Sequence, residues 1–265
     1  VKIRLIRGYL CASKLTDLKK IRVASVSYLN AKPMLYGIRH HEIVNDIELV
    51  EDYPAKIAQM LIDDQVDIGL IPVAATLKMD EWYVVGDYCI GSEGTVASVC
   101  IFSEVPMEQV ETVLLDYQSR TSVNLARILL KEYWKKDVHL VDASGEDYRN
   151  QISGTTAGVV IGDRALQQRL HSRYIYDLGE AWKAHTGLPF VFAAWIANKE
   201  LPEDFESKFN DANRQGLLQI AAVVKENPYT VYDLQAYYTR CISYELTDQK
   251  KKGMDLFLQK LKELS

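Results

Sequence analysis

With 265 residues, the chain can bury a substantial core as one large domain or two modest ones, and 48% hydrophobic with 25% charged residues is the composition of a folded rather than a disordered chain. A formal net charge of -5 argues against a general nucleic-acid surface, which presents a basic field to phosphates, but leaves room for a small anion held by a few local donors. No apolar run approaches the roughly 20 residues that cross a bilayer, so no membrane role and a cytoplasmic setting are expected.

The chain begins Val1-Lys2-Ile3-Arg4-Leu5-Ile6-Arg7. Arg4 and Arg7 break the apolar core that an export signal requires, so residues 1–19 read as an N-terminal extension. An authentic signal would instead make the protein a periplasmic binder. Ile21 to Val26 alternates as a strand, Ser27 to Pro33 forms a polar turn, and Met34, Leu35 and Ile38 resume at helical spacing. Ile47 to Val50 is a second strand. Pro54 opens a helix whose Ile57, Met60 and Leu61 share a face, and Val66 to Val73 is a buried strand.

Residues 96–102 and Val113 to Asp116 add two more strands. Ser119-Arg120-Thr121-Ser122 then precedes an amphipathic helix running from Val123 to Trp134. Ala157 to Asp163 repeats the strand-to-helix theme, with Asp163 placed as N-cap for Arg164 to Leu170. Thr186-Gly187-Leu188-Pro189 turns the chain into the apolar run Phe190 to Ala197. Beyond it, residues 202–225, 229–244 and 247–264 read as helical, with Met254, Phe257, Leu258 and Leu261 on one face. Strands alternating with helices imply an α/β fold with substantial parallel pairing. A two-lobed version requires crossings near 101–104 and 193–197.

Cys11, Cys89, Cys100 and Cys241 contain no C-x-x-C pair and read as bystander thiols. The five histidines have no metal-ligand spacing, and there is no nucleophile elbow, Walker loop or dinucleotide turn, so neither metal nor cofactor is expected. Ser119 to Ser122 is the better signal. Unpaired amides and the dipole at a helix start attract an anion, although Ser and Thr are equally ordinary caps. Asn30, Ser98, Gly162-Asp163 and Thr186-Gly187 also stand where apolar strands end, which is where open α/β sheets bind ligands. Asp116 and Asp163 are possible acid/base groups or plain strand and helix ends. Trp182, Phe190 and Trp195 could wall a pocket or fill the core.

Taken together, Ser25-Val26-Ser27-Tyr28-Leu29-Asn30, Asp67-Ile68-Gly69-Leu70-Ile71-Pro72, Ser119-Arg120-Thr121-Ser122-Val123, Ile161-Gly162-Asp163-Arg164-Ala165-Leu166, Asp177-Leu178-Gly179 and Trp182 followed by Thr186 to Ala193 resemble the chorismate dehydratase family of the futalosine route to menaquinone, over residues 20–265. The resemblance implies a two-lobed, periplasmic-binding-protein-like (type II) fold with a ligand cleft and a helical C-terminal region. Lobe 1 would hold residues 20–103 plus 194–265 and lobe 2 residues 104–193. It also implies loss of water from chorismate without a cofactor, with Asn30 as the key catalytic residue and Ser98 as a substrate contact. Ser119, Arg120, Thr121, Ser122, Gly162, Asp163, Thr186 and Gly187 complete the expected substrate-binding set. The rival readings are the dihydroxynaphthoate synthase of the same pathway, whose cysteine- and proline-containing first loop is absent here, and a non-catalytic solute-binding protein.

Overall fold

The strand predicted at the start of the chain forms as β1 (Ile21–Val26) and becomes the pivot of a parallel unit. It is followed by a single 3-10 turn and by α1 (Lys32–His40), with Pro33 in the first helical turn, where a missing N–H costs nothing. This computed structural model describes residues 20–264; the N-terminal extension and Cys11 lie outside the described residues. β2 (Ile47–Asp52), α2 (Pro54–Ile62) and β3 (Ile68–Pro72) complete the unit, and β1 pairs in parallel with both β2 and β3.

β4 (Tyr83–Ser92) and β10 (Phe190–Ala197) add antiparallel strands. With the short edge strand β11 (Ser243–Glu245), the first sheet has the order β11-β4-β10-β3-β1-β2. All eight residues of β10 are buried, because helices cover both of its faces and leave no solvated side to alternate with.

The second sheet is built from β5 (Val99–Ser103), β6 (Thr112–Leu115), β7 (His139–Asp142), β8 (Thr156–Ile161) and β9 (Tyr174–Asp177), in the order β7-β6-β8-β5-β9. Its helices are α3 (Arg120–Glu132), α4 (Gly162–Gln168) and α5 (Leu178–Thr186). The period-two geometry of β5 sends Val99 and Ile101 into the large core shared with the first sheet. Cys100 and Phe102 go to a smaller cluster on the far face, with Leu114, Tyr148 and Val160.

Sheet membership changes between Ser92 and Val99 and again between Asp177 and Phe190. Val99–Ser103 therefore joins the second sheet and Phe190–Ala193 the first, where boundaries at 103/104 and 193/194 would have put them the other way round. Both crossings are tied by one carboxylate. Asp177, 8% exposed, accepts hydrogen bonds from the N–H groups of Val96, Ala97, Gly179 and Glu180, all at 2.7–3.1 Å. Ala97 is held there at a φ of 64°, a left-handed conformation that its Cβ disfavours.

The C-terminal region comprises α6 (Glu203–Leu217), α7 (Ile220–Glu226), α8 (Leu234–Ala236), which widens through Cys241, and α9 (Asp248–Leu264). Residues 229–244 are thus not one helix: only Leu234 to Cys241 is helical, residues 229–233 are not, and Ser243 onward pairs with β4 as β11. This region touches both sheets. Lys260 on α9 donates to Glu132 on α3 at 2.5 Å, and Tyr237 donates to Ser98 at 2.7 Å. Among the described residues no helix is long and apolar enough to cross a membrane.

Candidate active site

The C-terminal ends of β1, β3 and β8 and the N-terminus of α3 meet at a small cavity of about 50 Å³. Val26, Pro72, Ile90, Val99, Ile161 and Phe192 make most of its wall apolar, and Asn30, Ser119, Thr121, Ser122 and Gly162 supply the polar and backbone positions. Asn30 enters from the 3-10 turn ahead of α1. Its Oδ1 is buried and has no hydrogen-bond partner among the described residues, an arrangement that costs free energy unless a ligand completes it.

α3 delivers the hydroxyls. Ser119 is its N-cap and accepts from the Ser122 N–H at 3.1 Å, while the Thr121 Oγ1 accepts from the Ala74 N–H across the cleft at 3.1 Å. Each of these oxygens acts as an acceptor, which leaves its own hydrogen available to donate to an anion. The N-terminal dipole of a 13-residue helix points the same way.

Outside this cavity lies a wider cleft of about 640 Å³, lined by Ser27, Glu51, Asp52, Gln118, Arg149, Asp163 and Arg164 among others. Tyr28 lines both spaces. Its hydroxyl donates to Gln118 Oε1, and its ring lies so close to Gly162 that a Cβ there would sit 3.0 Å from the Tyr28 Cδ2. Gly162 has a φ of 62°, so glycine is required for conformation as well as space. Burial pushes the Tyr28 phenol above its ordinary value and keeps it a donor.

The two sheets are also latched by the Leu29 N–H, which donates to Asp163 Oδ1 at 3.0 Å. Asp163 is therefore not the N-cap of α4. The helix starts two residues earlier, with Ile161 in the capping position, and the Asp163 carboxylate faces the β1 loop. Burial raises the pKa of Asp163. Lys32 nearby is lowered by burial and by Arg39.

Five expected residues do not line the inner cavity. Ser98 is fully buried, with its Oγ accepting from Tyr237 at 2.7 Å, and Arg120 is half-buried with an Nη1 that has no partner among the described residues. Asp163 is taken by Leu29. Thr186 and Gly187 close the C-terminus of α5 instead: Thr186 Oγ1 donates to the Trp182 carbonyl, and Gly187 has a φ of 75°. Asp116 is held by Arg164, Tyr148 and the Gln118 N–H at 2.8–3.0 Å, so it is a neutralised strut. Trp182, Phe190 and Trp195 are core residues; Trp182 and Phe190 stack edge-on with Phe257, and Trp195 donates to Asn213 at 3.1 Å. Cys89, Cys100 and Cys241 carry free thiols, and burial pushes Cys89 up to about 12.

Sequence reasoning missed Gln118, Arg164 and Tyr148, which line or brace the mouth of the site. Their type carries no signal before the turn after β6, the 3-10 segment Glu146–Gln151 and α4, which carry them, are brought together.

Residues 21–263 match the family model described as menaquinone biosynthesis. A protein of Thermus thermophilus named chorismate dehydratase is 25% identical over 257 residues, covering 88% of this chain and 92% of that protein. A Campylobacter jejuni protein of the same name is 25% identical over 251 residues, covering 91% of this chain and 97% of its own. In structure, the chain is similar to the CA3427 gene product of Candida albicans, described as exhibiting the generic periplasmic binding protein structural fold. That likeness has a TM-score of 0.61 at 13% identity, over 92% of this chain and 89% of that one.

Proposed function

The chain belongs to the menaquinone biosynthesis family, and from that premise we propose that it removes water from chorismate to give 3-[(1-carboxyvinyl)oxy]benzoate, as a carbon–oxygen lyase of the futalosine route acting in the cytoplasm. The observation that carries the proposal is the juxtaposition of an unpartnered Asn30 amide oxygen with the hydroxyl-bearing N-terminus of α3 in one largely apolar cavity. Chorismate brings two carboxylates and a leaving hydroxyl, and the cavity offers a matching anion site and a neutral amide. The resemblance to the two named dehydratases supports the same chemistry.

In the reaction the ring carbon bearing the ether loses its proton, the C–H electron pair becomes a ring double bond, and the neighbouring C–O bond breaks toward oxygen. The proton and the departing hydroxide leave as water, and the product ring is aromatic. Asn30 orients that hydroxyl, and the enolpyruvyl carboxylate of the substrate takes the proton, because the nearby carboxylates are already engaged: Glu51 by Lys32 and Arg39, Asp52 by Lys56, Asp116 by Arg164 and Asp163 by the Leu29 N–H. Ser119, Thr121 and Ser122 hold a substrate carboxylate through charge-assisted bonds. Catalysis then rests on holding a reactive conformer away from water.

A cavity of about 50 Å³ is far below the roughly 300–1,000 Å³ of ordinary ligand pockets. The described conformation is a closed one, and the lobes must part to admit substrate. The direct test is to incubate the purified protein with chorismate and follow the aromatic product. Asn30→Asp and Asn30→Ala should fold normally and lose turnover by about two orders of magnitude or more, since the group acts on the reacting centre. Near-normal turnover in both variants would remove Asn30 from the mechanism, and binding without product would make the protein a solute binder.

A further inference from the structure

The turn that carries Asn30 cannot satisfy its own carbonyl in the 3-10 pattern, because Pro33, three residues on, has no N–H to donate. A donor arrives from 214 residues away. The hydroxyl of Tyr244, in the middle of edge strand β11, donates to the Asn30 carbonyl at 3.0 Å. Tyr244 is 7% exposed, and no other hydrogen bond from the C-terminal region reaches this turn among those between described residues.

β11 is three residues long and pairs only with β4, so pairing alone holds it weakly. Its position is fixed from beneath. Lys250, fully buried on α9, directs its Nζ to the Ser243 carbonyl at 3.0 Å, the Ser243 Oγ at 2.6 Å and the Glu245 carbonyl at 2.5 Å, the residues on either side of Tyr244. Glu93 stands 3.8 Å away. A buried ammonium is costly unless its donors are met, and here all three are spent on the strand that presents Tyr244.

We infer that Tyr244 is a positioning residue for Asn30, and that Lys250 acts one step further back by clamping the strand that carries it. The inference rests on reading Asn30 as the residue that handles the leaving hydroxyl. Its role would be to fix the angle of the Asn30 amide in the cavity while touching neither substrate nor cavity.

The experiment is a double-mutant cycle on chorismate turnover. Tyr244→Phe should keep the fold and the KM within about twofold while kcat falls by about tenfold or more, the scale of a small misplacement at a reacting centre. In the Asn30→Ala background, measured on residual turnover, Tyr244→Phe should cost nothing further. Equal losses in both backgrounds would show a general structural effect and overturn the inference. So would an unchanged kcat in Tyr244→Phe beside an inactive Asn30→Ala, with the dehydratase reading left standing. Normal turnover by Asn30→Ala would remove the reading of Asn30 and the inference with it. Should Tyr244→Phe fail to fold, Lys250→Met carries the same comparison, with the same expected loss of kcat.

Discussion

Thr121 has two jobs that a single hydroxyl can perform together. Its oxygen accepts from the Ala74 N–H, a bond between the lobes, and its hydrogen is free for an anion. Thr121→Ser keeps both and should leave KM and Tm near those of the parent. Thr121→Val removes both; KM for chorismate should rise by about tenfold or more, and the orphaned Ala74 N–H should cost about 1–3 kcal/mol in urea denaturation. Asp163 offers a test of opposite sign. Burial raises its pKa in the folded state, so the stability linked to its protonated form is present below the ordinary carboxylate pKa and is lost as pH rises through the raised value. Asp163→Asn retains an acceptor for Leu29 and cannot ionise. It should melt above the parent at pH 7, by about 2–4 °C for each kcal/mol recovered, and the difference should vanish on acidification below about pH 4. A constant difference across pH would rule out ionisation of Asp163 as its source.

The packing of α1 on α6 shows how an element can be set by two residues. A Cβ on Gly216 would lie 1.9 Å from the Pro33 carbonyl, and one on Gly37 would lie 1.9 Å from the Ala212 carbonyl. Both contacts are to backbone, which cannot swing aside. Gly216→Ala should therefore cost about 1–3 kcal/mol in a denaturant titration, and should also lower kcat, because it pushes on the first turn of the helix that follows Asn30. Elements governed by local signals were legible in the sequence: β1 from its alternation, α1 from the helical spacing of Met34, Leu35 and Ile38, α2 from Pro54, and α3 from the Ser119 to Ser122 helix start. β4 was not, since Gly86, Asp87 and Gly91 interrupt its apolar pattern. It is a strand because β10 and β11 flank it, with register shifts against both, and because Asn210 accepts from the Asp87 N–H where Gly86 turns at a φ of 68°. The same distinction separates the site residues. Asn30, Ser119, Thr121 and Ser122 reach the cavity as helix-start geometry directs, whereas Ser98 and Thr186 sit at equally suitable chain positions with their hydroxyls bonded to Tyr237 and Trp182 instead. Tyr244 was invisible because its partner lies at the other end of the chain.

At the scale of the molecule, three hydrogen bonds join the two sheets around the site, Tyr28 to Gln118, Leu29 to Asp163 and Ala74 to Thr121, beside the core they share and the C-terminal bonds of Lys260 to Glu132 and Tyr237 to Ser98. Gln118→Ala removes the first and leaves the two crossings between the sheets untouched. Small-angle scattering of the ligand-free variant should give a larger radius of gyration than the parent, with KM raised; an unchanged radius would show that the Tyr28 contact does not restrain opening. The order of the strands also bears on how the chain is made. Every strand of the second sheet lies between Val99 and Asp177, so that sheet is complete when the middle of the chain has left the ribosome. The first sheet is not. β3 and β4 must wait for β10 to come between them, and the Asn30 turn must wait for Tyr244. During synthesis the edges of β3 and β4 that face β10 are thus unpaired until about the last quarter of the chain emerges, the interval in which aggregation and chaperone capture compete with folding. A message truncated between β9 and β10 would yield a second sheet with its own hydrophobic faces but no closed cavity, so such a partial product cannot act on substrate.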